Sequence, residues 1–485
     1  MRGISGRDDG FLRIWTSDQV WPLLVWLLPA VAVLFSRMPV NDLAYQIRAG
    51  ALMLEHGHVL RTDPFTFTVL GQPWLDQQWG SQLLFNLAFR TVGWSGLVVV
   101  RAVIVAVAFG VTFAWTRRAS GNVIVAAGLT LAALVVTMLM PGTLALRPQL
   151  LAVPLLLAAT WILRRRSRHP RGLAWLPVVT VVWANLHGSF VLMPVLCAIA
   201  LVADIHGRRP WRWMGATTLA CLLAAAINPW GFEIYAYVGD LATNPIVREV
   251  IDEWRPLWRL SPAGPAVLVA VVALVTMFAT GILRRPTLEE GMGLAVFGAL
   301  AVLSGRSLLW ACLYVPPVVG GMTVARSERT PERSPLAPAV SALLVALLVL
   351  GLGRIATADP PETLLSEAPL GITIELDRVA SQDDRVFDGW WGSWFELSLP
   401  DLPMFVDARA ELFPQRVWDD FFTISDASGP WRDTVERWEI DIIVASYDHQ
   451  RGLLAELGSE SGWTEVYRDG DGVIFRRSDP AGGPA

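Results

Sequence analysis

Residues 20–57 read VWPLLVWLLPAVAVLFSRMPVNDLAYQIRAGALMLEHG. An apolar block, Trp21 to Met38, runs into Asn41-Asp42, and a half-polar segment follows. A run of that length suffices to cross about 30 Å of hydrocarbon at about 1.5 Å per residue. It lacks the short apolar core and small-residue cleavage site of a signal peptide, so it reads as a retained span. Asp42 to Gly57 reads as an amphipathic helix, with Leu43, Ile47, Leu52 and Leu54 on its apolar side and Gly57 as its stop. Such a helix lies in the membrane interface.

Working outward, the same block length recurs. Further spans are predicted near 96–116, 121–140, 149–163, 173–186, 188–204, 211–227, 263–283, 288–304, 307–325 and 335–353. Of 485 residues, 53% are hydrophobic and 17% charged, where soluble proteins carry about 25% charged residues. The expected fold class is an α-helical polytopic membrane protein of about eleven spans, followed by a small C-terminal extracytoplasmic α/β domain. The expected divisions are a cytoplasmic segment 1–19, a transmembrane domain 20–355 containing a first outer loop 39–95, and a soluble domain 356–485.

All 39 basic residues are arginine, and their distribution sets the orientation. Arg2, Arg7 and Arg13 precede the first span, and every second loop after it is basic. Those loops hold Arg117 and Arg118; Arg164, Arg165, Arg166, Arg168 and Arg171; Arg208, Arg209 and Arg212; Arg284 and Arg285; and Arg326, Arg329 and Arg333. The positive-inside rule then puts the N-terminus in the cytoplasm and the C-terminus outside, in a multi-pass protein of the plasma membrane. The net charge of −4 argues against a nucleic-acid partner. Cys197, Cys221 and Cys312 lie in apolar blocks and read as small buried hydrophobes, not as a disulfide framework or metal set. No phosphate-binding glycine loop, nucleophile elbow or zinc-spaced set is present, so neither cofactor nor metal is expected.

In this orientation the polar motifs fall on the outer face: Asn41-Asp42, Leu146-Arg147-Pro148, Asn185-Leu186-His187-Gly188, Asn228-Pro229-Trp230-Gly231 and Gly305-Arg306-Ser307. Turn chemistry accounts for Asn-Pro and Gly at span ends. It accounts less well for an Arg, a His and an Asp at one depth, because polar groups there usually line a cavity or pair. Asp42 stands where a carboxylate is partly desolvated and meets both a lipid-borne substrate and water, which suits a general base; its alternative role is to cap the helix that follows. Asp63 and Asp76 are further acidic candidates, with turn or cap roles as their alternatives. Beyond the last span, Val386-Phe387, Met404 to Val406, Ile440 to Ala445 and Val473 to Phe475 read as strands, and Gln415 to Thr423, Trp431 to Trp438 and Gln450 to Leu457 as helices. Asp407 and Arg409 follow a strand end, and the Trp390, Trp391 and Trp394 cluster suits sugar stacking or packing against the membrane domain.

Asp42-Leu43 with Arg48 and Gly50, Glu55-His56-Gly57, Thr62-Asp63-Pro64-Phe65-Thr66-Phe67-Thr68 and Trp74-Leu75-Asp76 with Trp79 resemble a family of bacterial multi-span proteins grouped with glycosyltransferases of the GT-C fold. Trp183-Ala184-Asn185-Leu186-His187-Gly188-Ser189-Phe190, Ile227-Asn228-Pro229-Trp230-Gly231, Gly389-Trp390-Trp391-Gly392 and Val406-Asp407-Ala408-Arg409 extend the resemblance over nearly the whole chain. It implies transfer of a sugar, usually with inversion, from a polyprenyl-phosphate carrier to a glycan, lipid or protein acceptor at the outer face, with Asp42 as the base. The chain departs from the pattern in carrying Gln46 where relatives tend to have His, and Gln77-Gln78 where they tend to have His-Glu. On this reading Arg147 and Arg306 neutralise the departing phosphate, because guanidinium matches phosphate oxygens in a fork, and His187 and Asn185 bind the donor. Snorkelling to membrane lipid headgroups is the alternative for each arginine. A non-catalytic scaffold and a lipid-linked glycan transporter are the competing functions.

Overall fold

The structure is a computed structural model and describes residues 17–140, 142–324 and 337–478. Arg2, Arg7, Arg13, Arg326, Arg329 and Arg333 lie outside the described residues.

Every apolar block predicted from the sequence is helical. The first is α1 (Ser17–Phe35), followed by strand β1 (Met38–Pro39) and α2 (Asn41–His56). The 42-residue α3 (Trp79–Ser120) follows; Gly93 interrupts its helical geometry, so the predicted span 96–116 is its second half. Next come α4 (Val123–Met138), α5 (Pro148–Arg165), α6 (Trp175–Ala184), α7 (Leu192–His206) and α8 (Arg212–Ala224). Two shorter helices not anticipated from sequence, α9 (Glu233–Thr243) and α10 (Pro245–Val250), precede α11 (Ala263–Ala279), α12 (Leu288–Leu303), α13 (Leu308–Met322) and α14 (Ala337–Ala356). Among the described residues, three segments are long and apolar enough to cross a membrane by length and composition: Trp79–Ser120, Gly188–His206 and Ala337–Ala356. Outward-facing Leu268, Val269, Val272 and Val275 on α11 and Leu343, Val349 and Leu350 on α14 are exposed. Water would penalise such apolar faces, whereas lipid would cover them.

Local signals start the helices where the apolar runs begin. Asn122 caps α4 by accepting from the Ile124 and Val125 N–H groups, and Thr287 and Glu290 form a reciprocal capping box on α12. The helix carrying Asp42 is pressed onto α3 at Gly50, where an added Cβ would lie 2.2 Å from the Gln82 carbonyl oxygen. Its buried face differs from the expected one: Leu43, Ile47 and Leu52 are buried, but Leu54 is exposed. Ala44, Tyr45, Gln46, Ala49, Gly50 and Met53 are buried as well, because this helix packs on two sides, against α3 and against the C-terminal helix Gly392–Ser398. Arg166, counted among the loop arginines, is also buried. It is held by Asp204 at 2.9 Å and Glu289 at 2.7 Å, an arrangement that compensates its desolvation.

Beyond α14 the chain forms β2 (Leu365–Ser366), α15 (Leu370–Val379), β3 (Val386–Phe387), α16 (Gly392–Ser398), α17 (Gln415–Ser425), α18 (Trp431–Arg437), β4 (Ile442–Ser446), α19 (Arg451–Leu457), β5 (Trp463–Arg468) and β6 (Gly472–Arg477). Strands β3 and β4 are parallel, β4 and β5 each pair antiparallel with β6, and the order is β3-β4-β6-β5. Met404 to Val406, expected as a strand, makes only isolated bridges to Thr66 and Val386. Its backbone is committed elsewhere: the Val406 N–H donates to Asp388 and the Met404 carbonyl accepts from Phe67 N–H. β5 went unread because its charged, half-exposed residues lack a clean apolar alternation. The short parallel pair of β1 with β2 joins the end of α1 to this C-terminal part.

Candidate active site

A cavity of about 670 Å3 lies where α2, the start of α5, the turn before α7, residues 238–254, the turn before α13 and the C-terminal part converge. Asp42, Arg147, His187 and Arg306 all line it.

Asp42 sits in the first turn of α2 and caps nothing. Its Oδ2 lies 2.7 Å from Arg147 Nε, and Arg147 Nη1 lies 2.5 Å from Glu253 Oε2, so one guanidinium is shared by two carboxylates. Arg147 immediately precedes α5, with Pro148 opening the helix in the position where a missing N–H costs nothing. Gln149 then donates to the Arg306 carbonyl at 2.8 Å, which ties the two arginine-bearing turns together. The Arg306 guanidinium lies 5.4 Å from the Trp254 ring centroid. Among the described residues, no carboxylate forms an ion pair with it. The cavity lining thus holds one neutralised arginine, Arg147, and two that form no ion pair among the described residues, Arg306 and Arg248, the latter donating to the Ala242 carbonyl.

His187 is buried, and its Nδ1 accepts the Ser189 N–H at 3.1 Å and contacts the Ser189 hydroxyl at 2.7 Å. An accepting Nδ1 assigns the ring proton to Nε2. Burial, with the Arg306 charge beside it, pushes the imidazole down to about 3, so it is neutral and serves as a hydrogen-bonding group. Where the family resemblance places His and His-Glu, Gln46 donates to the Gln78 side-chain oxygen and to the Tyr45 hydroxyl, both at 2.6 Å, and Gln77 donates to the Ala184 carbonyl at 3.1 Å. The cavity wall there is neutral.

Three of the expected site residues stand outside the lining: Asp63, Asp76 and Asn185. Asp63 accepts from the Phe65 and Thr66 N–H groups and the Thr66 hydroxyl, and its Oδ1 lies 2.5 Å from Arg409 Nη2. Asp76 is buried, accepts from Gln82 Nε2 at 2.7 Å, and is pushed up to about 8 by desolvation, so at neutral pH it is largely a neutral acid. Asn185 accepts from Trp79 Nε1 at 2.9 Å and donates to the Val181 and Ile227 carbonyls, pinning three elements together.

Sequence reading missed Glu253, Trp254 and the acids Glu367 and Glu411 that also line the cavity. The available signal was Asp252-Glu253-Trp254-Arg255, a charged and aromatic run inside a long connection between apolar blocks. It also missed Arg101, buried within a predicted span, whose guanidinium donates to the Leu144 carbonyl at 2.7 Å and to Ser36.

A bundle of apolar helices with a large cavity of mixed lining, where its connecting turns meet the C-terminal part, is the class that fold and site define among the described residues. By sequence alone, no family model matches the chain and no curated protein is found similar to it. By structure, it is similar to the oligosaccharyltransferase AglB from Archaeoglobus fulgidus solved with an inhibitory peptide and a dolichol-phosphate: TM-score 0.51, 11% identity, over 94% of this chain and 74% of that one. The apo form of the Archaeoglobus fulgidus oligosaccharyltransferase gives a TM-score of 0.53 and 12% identity over 97% and 75%. Apo ArnT from Cupriavidus metallidurans gives 0.51 and 15% over 96% and 99%. These are GT-C fold glycosyltransferases, and the resemblance read from the motifs holds at the level of fold.

Proposed function

We propose that this protein transfers a sugar from a polyprenyl-phosphate donor to an acceptor hydroxyl at the outer face of the membrane. The observation that carries this reading is the convergence of Asp42, Arg147, His187 and Arg306 on one cavity. Eleven spans, a cytoplasmic N-terminus and an extracytoplasmic α/β domain from residue 356 complete it. They rest on the alternation of basic loops.

The donor phosphate binds Arg306 first, since Arg147 is already shared by Asp42 and Glu253. Val238, Leu241, Val247, Val250, Ile251 and Leu303 give the cavity an apolar wall suited to a prenyl chain. The acceptor oxygen attacks sugar C1, its proton passes to Asp42, and the C1–O bond to phosphate breaks, leaving polyprenyl phosphate. Arg147 orients Asp42 until charge on the leaving phosphate draws the guanidinium away. His187, neutral and a donor at Nε2, is suited to hydrogen-bond the donor.

The test is direct binding of polyprenyl phosphate to the full chain in nanodiscs. Arg306→Ala should weaken it by about 10- to 100-fold, the worth of one charge-assisted contact. Unchanged affinity would remove Arg306 from the phosphate site.

A further inference from the structure

The cavity has a second end that this chemistry does not use. There Asp388, Trp390, Glu411 and His449, all from the C-terminal part, line it. Trp390 has φ +79°, a left-handed conformation that is unfavourable for a bulky residue and persists only where the surroundings impose it. The preceding Gly389, at φ +59°, makes this possible by lying against β4, where a Cβ would be 2.4 Å from the Val444 carbonyl oxygen. The outcome is an indole ring, half-buried and backed by Phe421 at 4.9 Å, lining the cavity with His449 5.8 Å away.

Two carboxyl groups accompany the ring. Asp388 is fully buried; one oxygen accepts the Val406 N–H, and the other has no partner. Glu411 accepts from the Tyr237 hydroxyl at 3.0 Å. Tyr45 lines the cavity with both Asp42 and Glu411; burial first, and then the charges of these two carboxylates, push its phenol up. An aromatic face flanked by acceptors with free lone pairs matches a pyranose, whose C–H face stacks on indole while its hydroxyls donate to carboxyl oxygens. An unpartnered buried oxygen is costly unless a ligand group satisfies it.

We propose that this end of the cavity is a carbohydrate subsite that holds the acceptor, so that the acceptor is a glycan rather than a peptide or a simple lipid. The proposal names the acceptor class of the transfer reaction above and rests on it, but its test reads binding alone. The full-length protein in nanodiscs is titrated calorimetrically with maltotriose, cellotriose and mannotriose, with an unglycosylated Ser/Thr peptide, and separately with a polyprenyl phosphate. At least one trisaccharide should bind and the peptide should not. Trp390→Ala should weaken the trisaccharide by about tenfold or more and Glu411→Gln by about fivefold. Both should leave polyprenyl phosphate affinity unchanged, which also shows that the variants are folded. Trp390→Phe, which keeps an aromatic face, should retain most of the affinity. Binding of the peptide instead, no trisaccharide binding at millimolar concentration, or trisaccharide affinity indifferent to both substitutions would overturn the subsite. Loss of polyprenyl phosphate binding by the wild type would instead sink the donor reading and leave the subsite standing.

Discussion

Arg409→Met tests the joint that roofs the cavity. Arg409 is 1% exposed, its Nη2 lies 2.5 Å from Asp63 Oδ1 in the first loop, and its Nε donates to Asp407 at 2.9 Å in the C-terminal part. Its guanidinium also lies 4.4 Å from the Trp74 ring centroid and 4.9 Å from that of Phe65. Methionine roughly fills the volume but leaves two buried carboxylates without their counter-charge. Removing one partner of a buried pair costs about 3–5 kcal/mol. At about 1.4 kcal/mol per decade, that raises the population of the undocked loop by about a hundred- to several-thousandfold. Hydrogen exchange reads it at the Asp63, Gly71 and Trp74 amides, which donate to Gln72, Asp63 and Arg61 carbonyls within this loop. Adding Asp63→Asn and Asp407→Asn to Arg409→Met removes the stranded charges and should restore most of the protection. Exchange in Arg409→Met within about twofold of wild type, about 0.4 kcal/mol and no more than a surface change causes, would refute the reasoning.

Two further outcomes follow from the same geometry. Asp76, held protonated up to about 8 in the folded state against an ordinary carboxyl value of 3.8, costs the fold progressively more stability as pH rises between those values, because only the unfolded chain releases the proton there. Asp76→Asn should therefore gain in melting temperature over wild type from about pH 5 to about pH 8; a pH-independent difference would contradict the buried-acid reading. A reporter fused after Gly353 should be extracytoplasmic and one fused near Arg168 cytoplasmic; the opposite labelling would overturn both the topology and the placement of the site.

Much of this arrangement was legible in the sequence because apolar block length and helix punctuation are local. Each predicted span coincides with a helix, and the Gly57 stop of α2 is present, in the left-handed conformation that favours glycine. Asp42, Arg147, His187 and Arg306 were readable as a group because they share one position relative to span ends. What depended on long-range pairing was not readable. Asp63 was a candidate acid, but its partner Arg409 lies 346 residues away, and only that contact makes it structural. Glu253 gains its meaning from Arg147, across 106 residues. Asp76 looks like Asp42 in sequence, yet its burial beneath Gln82 removes it from the cavity. Met404 to Val406 carries strand-forming residues, but its hydrogen bonds go to Phe67 and the Asp388 side chain rather than to a ladder.

The most direct test is turnover by Asp42→Asn, measured as polyprenyl phosphate released from a polyprenyl-phosphate-linked sugar in the presence of acceptor. Asp42 caps no backbone group and Arg147 keeps Glu253 as its counter-charge, so the amide should leave folding intact, and polyprenyl phosphate affinity should stay close to wild type. The amide cannot take the acceptor proton, and loss of a general base costs about 10²–10⁴ in rate. The account predicts a fall of that size. Near-wild-type turnover by the folded variant would contradict it and shift the base to Glu253, the other carboxylate on Arg147.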